Sequence, residues 1–143
     1  MTQKNLLVAA FIVLTLSAFG GIIGSSYRVS GDATIYSGGT RTERSTSVCE
    51  VKAPWGSYQG ICDAVITYRY AGNSWVQIPA VLSGESWSCD FSGSSGTGMA
   101  YHIVGSGSIS HSAVSGSWRF YKQARDGNEV LLREGSFSGD ASH

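Results

Sequence analysis

The sequence predicts an all-β protein: an antiparallel β-sandwich or barrel-like meander after an N-terminal hydrophobic helix. Two observations carry this. Beyond residue 26 no segment shows helical periodicity with caps, and short runs of alternating or β-rich residues follow one another, each bounded by Gly, Asn or Ser. The chain also holds 19 Gly against 2 Pro, with seven Tyr, five Phe and four Trp to fill a core. Because strand edges and an apolar sheet face are costly to leave open, the strands are expected to close into a barrel or to stack as two sheets. A length of 143 residues suits one ordinary domain. The division expected is residues 1–26 as a signal peptide or membrane anchor and 27–143 as a single β-domain.

The start of the chain sets the expected location. Lys4 precedes a run over residues 6–19 that is apolar except for Thr15 and Ser17. A secretory signal has a basic start, an apolar stretch of roughly 7–15 residues and a small-residue cleavage site. Ala18-Phe19-Gly20 offers such a site, and Gly24-Ser25-Ser26 offers a second. A membrane-spanning helix needs about 20 apolar residues, which residues 6–24 nearly supply, but no basic cluster follows as a stop-transfer flank. A cleaved signal is the preferred reading and a retained anchor the alternative. Either places the body outside the cytoplasm, periplasmic or secreted, with membrane contact only through residues 6–24 if they are kept.

The strands follow in order. Residues 27–29 and 33–36 read as short strands, and 37–40 (S-G-G-T) as a turn. Residues 41–46 are polar throughout and suit a solvent-facing strand or a loop. Residues 48–52 form a strand that turns through Ala53-Pro54-Trp55-Gly56-Ser57. Residues 61–70 return, with Val65, Thr67 and Arg69 on one face and Ile66, Tyr68 and Tyr70 on the other. Ala71-Gly72-Asn73 turns again into 75–82, then 87–91 follows. Residues 92–98 (S-G-S-S-G-T-G) are a low-complexity, flexible link to 99–104 and 108–110.

The firmest local signal is the last hairpin. Residues 117–123 and 129–134 flank Asp126-Gly127, a strong hairpin turn pair. The two-residue period puts Trp118 and Phe120 on one face, where Val130 and Leu132 are expected to meet them. Over residues 114–140, Gly116, Trp118, Tyr121, Gly127, Glu134, Gly135, Phe137 and Gly139 give a pattern that resembles a single bacterial MORN-type repeat. The resemblance covers one copy, whereas such arrays repeat the unit in tandem, and it implies no particular activity.

In an exported protein cysteines normally pair, and three leave one over. If Lys52 opposes Gln59, Cys49 opposes Cys62. A non-hydrogen-bonded cross-strand pair stands about 4.5 Å apart at Cα, which suits a disulfide. Closing such a loop stabilises by about 3 kcal/mol in the chain-entropy model. Cys49–Cys62 is therefore the expected bridge, and Cys62–Cys89 the other possibility.

Little in the sequence points to catalysis. There is no nucleophile elbow, H-E-x-x-H, C-x-x-C or phosphate loop. His102 and His111 lack ligand spacing, so no metal and no cofactor are expected, and both read as structural or surface histidines. Asp63 and Asp90 each follow a cysteine and read as solvated strand-end charges. A formal net charge of +0 argues against nucleic acid. The functional lead is aromatic. Trp55 sits in a turn with Tyr58 close by, and an exposed ring can stack on a sugar or anchor a protein. Trp75, Trp87 and Trp118 start strands and are expected in the core. The expected function is a non-catalytic structural or protein-interaction module of the envelope or an extracellular assembly. The alternative is a carbohydrate- or small-ligand-binding domain using aromatic residues. A hydrolase assembled only in three dimensions ranks last. An aromatic-lined cavity would favour ligand binding, and an exposed apolar patch or free strand edge would favour the interaction module.

Overall fold

The computed structural model describes residues 21–142. They form eight strands: β1 (Ser26–Ile35), β2 (Arg41–Lys52), β3 (Ala64–Ala71), β4 (Ser74–Ser83), β5 (Ser86–Ser94), β6 (Ala100–Ile109), β7 (Ala113–Gln123) and β8 (Glu129–Ala141). Each is antiparallel to the next, and β8 returns to β1 (Tyr27↔Ala141 through Ile35↔Arg133), so the sheet is a closed barrel. Of the two architectures expected, this is the barrel. The N-terminal hydrophobic helix expected within residues 1–26 lies mostly in 1–20, outside the described residues; residues 21–24 of the expected apolar span form a turn, with Ile22 buried in the core, and β1 begins at Ser26. Among the described residues the sole helical element is a 3-10 turn, Gly56–Tyr58, and no helix is long and apolar enough to cross a membrane.

Alternation decides what the barrel encloses. Tyr27, Val29, Cys49, Val51, Ile66, Tyr68, Ile78, Trp87, Ile103, Val114, Trp118 and Phe137 are buried. The opposite parity on β5 to β8 and β1 is largely polar and rich in serine. Ser86, Ser108, Ser115, Ser138 and Ser30 are successive register partners across five strands. Apolar inward and polar outward is the reverse of a lipid-facing barrel's alternation. Two strands predicted from 27–29 and 33–36 are one continuous β1, because Gly31 needs no turn. Its missing Cβ makes room for the Ser136 carbonyl, 2.8 Å from where that atom would sit.

Several of the strand glycines leave room for the two tryptophans beneath the sheet, and others for the backbone of a neighbouring strand. A Cβ on Gly107 would meet Trp87 Nε1 at 2.6 Å, and one on Gly135 would meet Trp118 Cζ2 at 2.7 Å. Gly116 likewise lies against the Trp87 ring. Both indoles are satisfied: Trp87 Nε1 donates to the Ser115 carbonyl (2.9 Å), and Trp118 Nε1 donates to the Tyr68 hydroxyl (2.6 Å). An eight-stranded barrel has room for little beyond its own side chains, and these rings take most of it.

Several register expectations are corrected. In the last hairpin, Tyr121↔Leu131 is followed by Phe120↔Arg133, which leaves Leu132 as an extra residue in β8. Such a bulge switches every later side chain to the other face. Trp118 and Phe120 do share the inner face. Their partners are Gly135 and Arg133, while Val130 pairs with Lys122 and is 52% exposed. Without the bulge, Glu134 would face Trp118 inside the barrel. The second correction concerns the cysteines. β2 meets β3 with Lys52 opposite Val65, not Gln59, and Cys62 lies in the loop before β3 begins. The loop's own 3-10 turn takes up the residues that a tight hairpin would have paired. All three cysteines are free thiols. Burial pushes the Cys49 and Cys89 thiols up to about 12, which keeps them protonated.

Candidate functional site: an aromatic cleft

Two seams of the barrel have only three register pairs each, β2–β3 and β4–β5, and the cleft lies at the second. Only Val81, Leu82 and Ser83 pair, with Ser88, Trp87 and Ser86. Beyond them the strands part, and the loop over residues 53–63 fills the opening. Asp63 anchors that loop: its N–H donates to the Ala80 carbonyl (2.9 Å), and its Oδ2 accepts from Leu82 N–H (2.8 Å). Asp63 is thus a structural clasp. Tyr58 is carried inward by the 3-10 turn, and its hydroxyl and Gln77 Oε1 lie 3.3 Å apart as donor and acceptor.

Tyr58 heads a continuous row of rings. Trp55 meets it edge-on at 5.5 Å, and Tyr58 meets Phe91 at 5.3 Å. Phe91 and Tyr101 are 6.1 Å apart, and Tyr101 stacks on Phe120 at 5.2 Å with planes 14° apart. The Arg133 guanidinium closes the row, 4.0 Å above the Phe120 ring. Five strands and the loop contribute to a cleft of about 180 Å³, lined by Tyr58, Trp75, Val76, Gln77, Phe91, Tyr101, Ile103, Phe120 and Arg133. Burial pushes the Tyr58 hydroxyl up to about 12, so it remains a neutral donor.

The two site residues expected from sequence part company here. Tyr58 is buried and lines the cleft, while Trp55 is 39% exposed and braces Tyr58 from outside. Trp87 and Trp118 are in the core as expected. Trp75 is not: it is 55% exposed and forms the cleft's rim. It belongs to the face of Arg69, its register partner, which points outward. Trp75, Phe91, Tyr101, Phe120 and Arg133 were not legible as a site. For Arg133 no local signal exists, because the bulge alone turns it inward.

Larger hollows lie elsewhere. One of about 820 Å³ is an open trough on the outer face over Ser30, Asp32, Arg44, Ser115 and Ser136. It has no aromatic side chain except Phe137, and its hydroxyls are within reach of water. Another cluster joins three elements on the outside: His102 on β6 lies between Asp90 on β5 (Nε2 to Oδ1, 2.5 Å) and Glu129 on β8 (Nδ1 to Oε1, 2.6 Å). Asp90 is therefore mid-strand and paired, not at a strand end, although its side chain is 79% exposed. Hydrogen bonding to Asp90, joined by Glu129, raises the His102 imidazole above its ordinary value, with partial desolvation opposing. No group of three His, Cys, Asp or Glu among the described residues is placed to hold a metal ion.

Comparison of the chain with protein-family models, curated proteins and solved structures finds no match in any of the three. The residues that resemble a MORN-type repeat occupy β7, its turn and β8, where Gly116, Gly135 and Phe137 pack against the buried tryptophans.

Proposed function

We propose that the protein is a non-catalytic ligand-binding barrel, working outside the cytoplasm, that takes a small ring-bearing molecule into the cleft beside Tyr58. The observation that carries this is the row of four rings, Tyr58, Phe91, Tyr101 and Phe120, lining a cleft in a barrel that is otherwise filled. Ligand sites are typically apolar concavities with a few convergent polar groups, here Gln77, the Tyr58 hydroxyl and Arg133. Closure weighs against the expected interaction module, because a closed barrel presents no free edge for strand addition. The extracytoplasmic location rests on the sequence of residues 1–26.

The test is a ligand titration followed by two-dimensional NMR, with benzyl alcohol as a single-ring probe and glucose as a sugar. Saturable shifts confined to Trp75, Tyr101 and their neighbours support the reading, and the better probe says whether the ring is aromatic or sugar. No saturable shift with either rejects it. The exposure of Trp75 and Trp55 favours one other reading, a protein partner docking over both rings. That reading expects the same two tryptophan signals to respond to a partner and to neither probe.

A further inference from the structure

Resting on the ligand-binding reading, we infer that the cleft selects a carboxylate: its ligand is a small ring bearing an anionic group, held by Arg133. Arg133 is the one charged residue among those lining the cleft. It makes no ion pair and no side-chain hydrogen bond among the described residues; Arg28, Arg69 and Arg125 are unpaired too, but they are exposed, whereas Arg133 is part-buried in the cleft. Phe120 covers one face of its guanidinium and leaves the N–H edge without a protein acceptor. A planar fork of five donors, stacked and pre-oriented, matches a carboxylate in a two-pronged hydrogen bond. A half-buried cation with apolar neighbours and no counter-ion makes the cleft locally positive, so an anion is favoured over a neutral molecule of the same shape.

Size narrows the class. A cavity of about 150 Å³ accepts benzene, and the cleft holds about 180 Å³. That volume matches one six-membered ring in the cleft, with the carboxylate toward Arg133. A fused or long-chain acid would have to extend past Trp75 into solvent.

Benzoate and benzyl alcohol differ in the group that Arg133 would read, so their comparison tests the inference. Benzoate is expected to bind about tenfold or more tighter, as charge-assisted hydrogen bonds imply. R133Q should abolish that preference, bringing the ratio of benzoate to benzyl alcohol affinity down to about one. R133K keeps the charge but not the fork, and should retain only part of the preference. Thermal unfolding of each variant confirms that it is folded before titration. Equal or weaker binding of benzoate by the unmodified protein overturns the inference and leaves the cleft as a neutral-ligand site. A preference that survives R133Q overturns it also. If only glucose binds, the carboxylate inference is overturned while the ligand-binding reading stands, and if benzoate, benzyl alcohol and glucose all fail to bind, that reading itself fails.

Discussion

Two regions of this barrel are built from the same aromatic residues and are used in opposite ways. Under β6, β7 and β8, Trp87 and Trp118 lie against glycines, are 2% and 1% exposed, and have their indole N–H groups bonded within the protein. Beside the β4–β5 opening, Tyr101 and Phe120 stack in a row that ends in a cation and is open to solvent along the Trp75 rim. The first arrangement spends every ring surface on the fold. The second leaves surface over. What separates them is the residue opposite each ring: glycine beneath the tryptophans, and beneath Phe120 an arginine that cannot close the gap.

If that distinction is right, truncation should separate the two regions by stability. Trp118→Ala removes a buried ring and its bond to Tyr68, and should cost about 3–5 kcal/mol. Thermal unfolding should show a drop of about 10 °C or more, or no folded protein should accumulate. A fully stable Trp118→Ala would remove the comparison altogether. Gly116→Ala tests the same region from the other side. Its methyl group would fall on the Trp87 ring, and overpacking of this kind costs about 1–3 kcal/mol. The urea midpoint should fall accordingly.

Trp75→Ala and Trp55→Ala belong to the other region and should change stability by no more than about 0.5 kcal/mol. Trp75→Ala should weaken ligand binding directly. Trp55→Ala should weaken it only through the placement of Tyr58. A large loss of stability in either would mean that the rings of the cleft are core after all.

A smaller effect comes from the His102 clasp. Its imidazole is raised above the ordinary value of about 6.5 in the folded protein. Its stabilising contribution is then fully present below pH about 6.5 and fades as pH rises through the raised folded-state value. His102→Gln should remove that part of the pH dependence of the melting temperature. Identical pH profiles for the two proteins would show that the carboxylate contacts do not bias folding. The smallest effect expected is none: with free thiols, a reducing agent should leave the melting temperature unchanged, and non-reducing peptide mapping should recover no Cys49–Cys62 link.

Strand content could be read from the sequence, and on β3 and β7 so could which residues share a face, because alternation is local and survives errors at the ends. Ile66, Tyr68, Trp118 and Phe120 were placed on their correct faces for that reason. Register could not, because it depends on residues that do not pair. The loop over 53–63 looks like a turn but carries a 3-10 segment, so Lys52 meets Val65. The extra Leu132 is invisible in an alternating pattern, yet it decides that Gly135, and not Glu134, lies beneath Trp118. Trp75 was expected in the core because it starts a strand, but its face follows from its pairing with Arg69. The cleft was legible only at Tyr58, since its other walls come from five strands distant in sequence.

The β1–β8 ladder has a consequence for how the protein is made. Every other strand pair joins neighbours in the chain, and can form as soon as two hairpin arms exist. The closing pairs join Tyr27 with Ala141 and Ile35 with Arg133, the longest loops the chain can close. Closing such a loop is entropically the slowest contact to reward. On the ribosome, β1 to β7 emerge as an open sheet with two bare edges, and the barrel can shut only after residue 141 has been synthesised and released. Until then its apolar face and β1 edge are available to any neighbouring chain. Arg133 reaches its place over Phe120 in the last hairpin to be made, so the anion-reading end of the cleft is among the last parts of the molecule to exist.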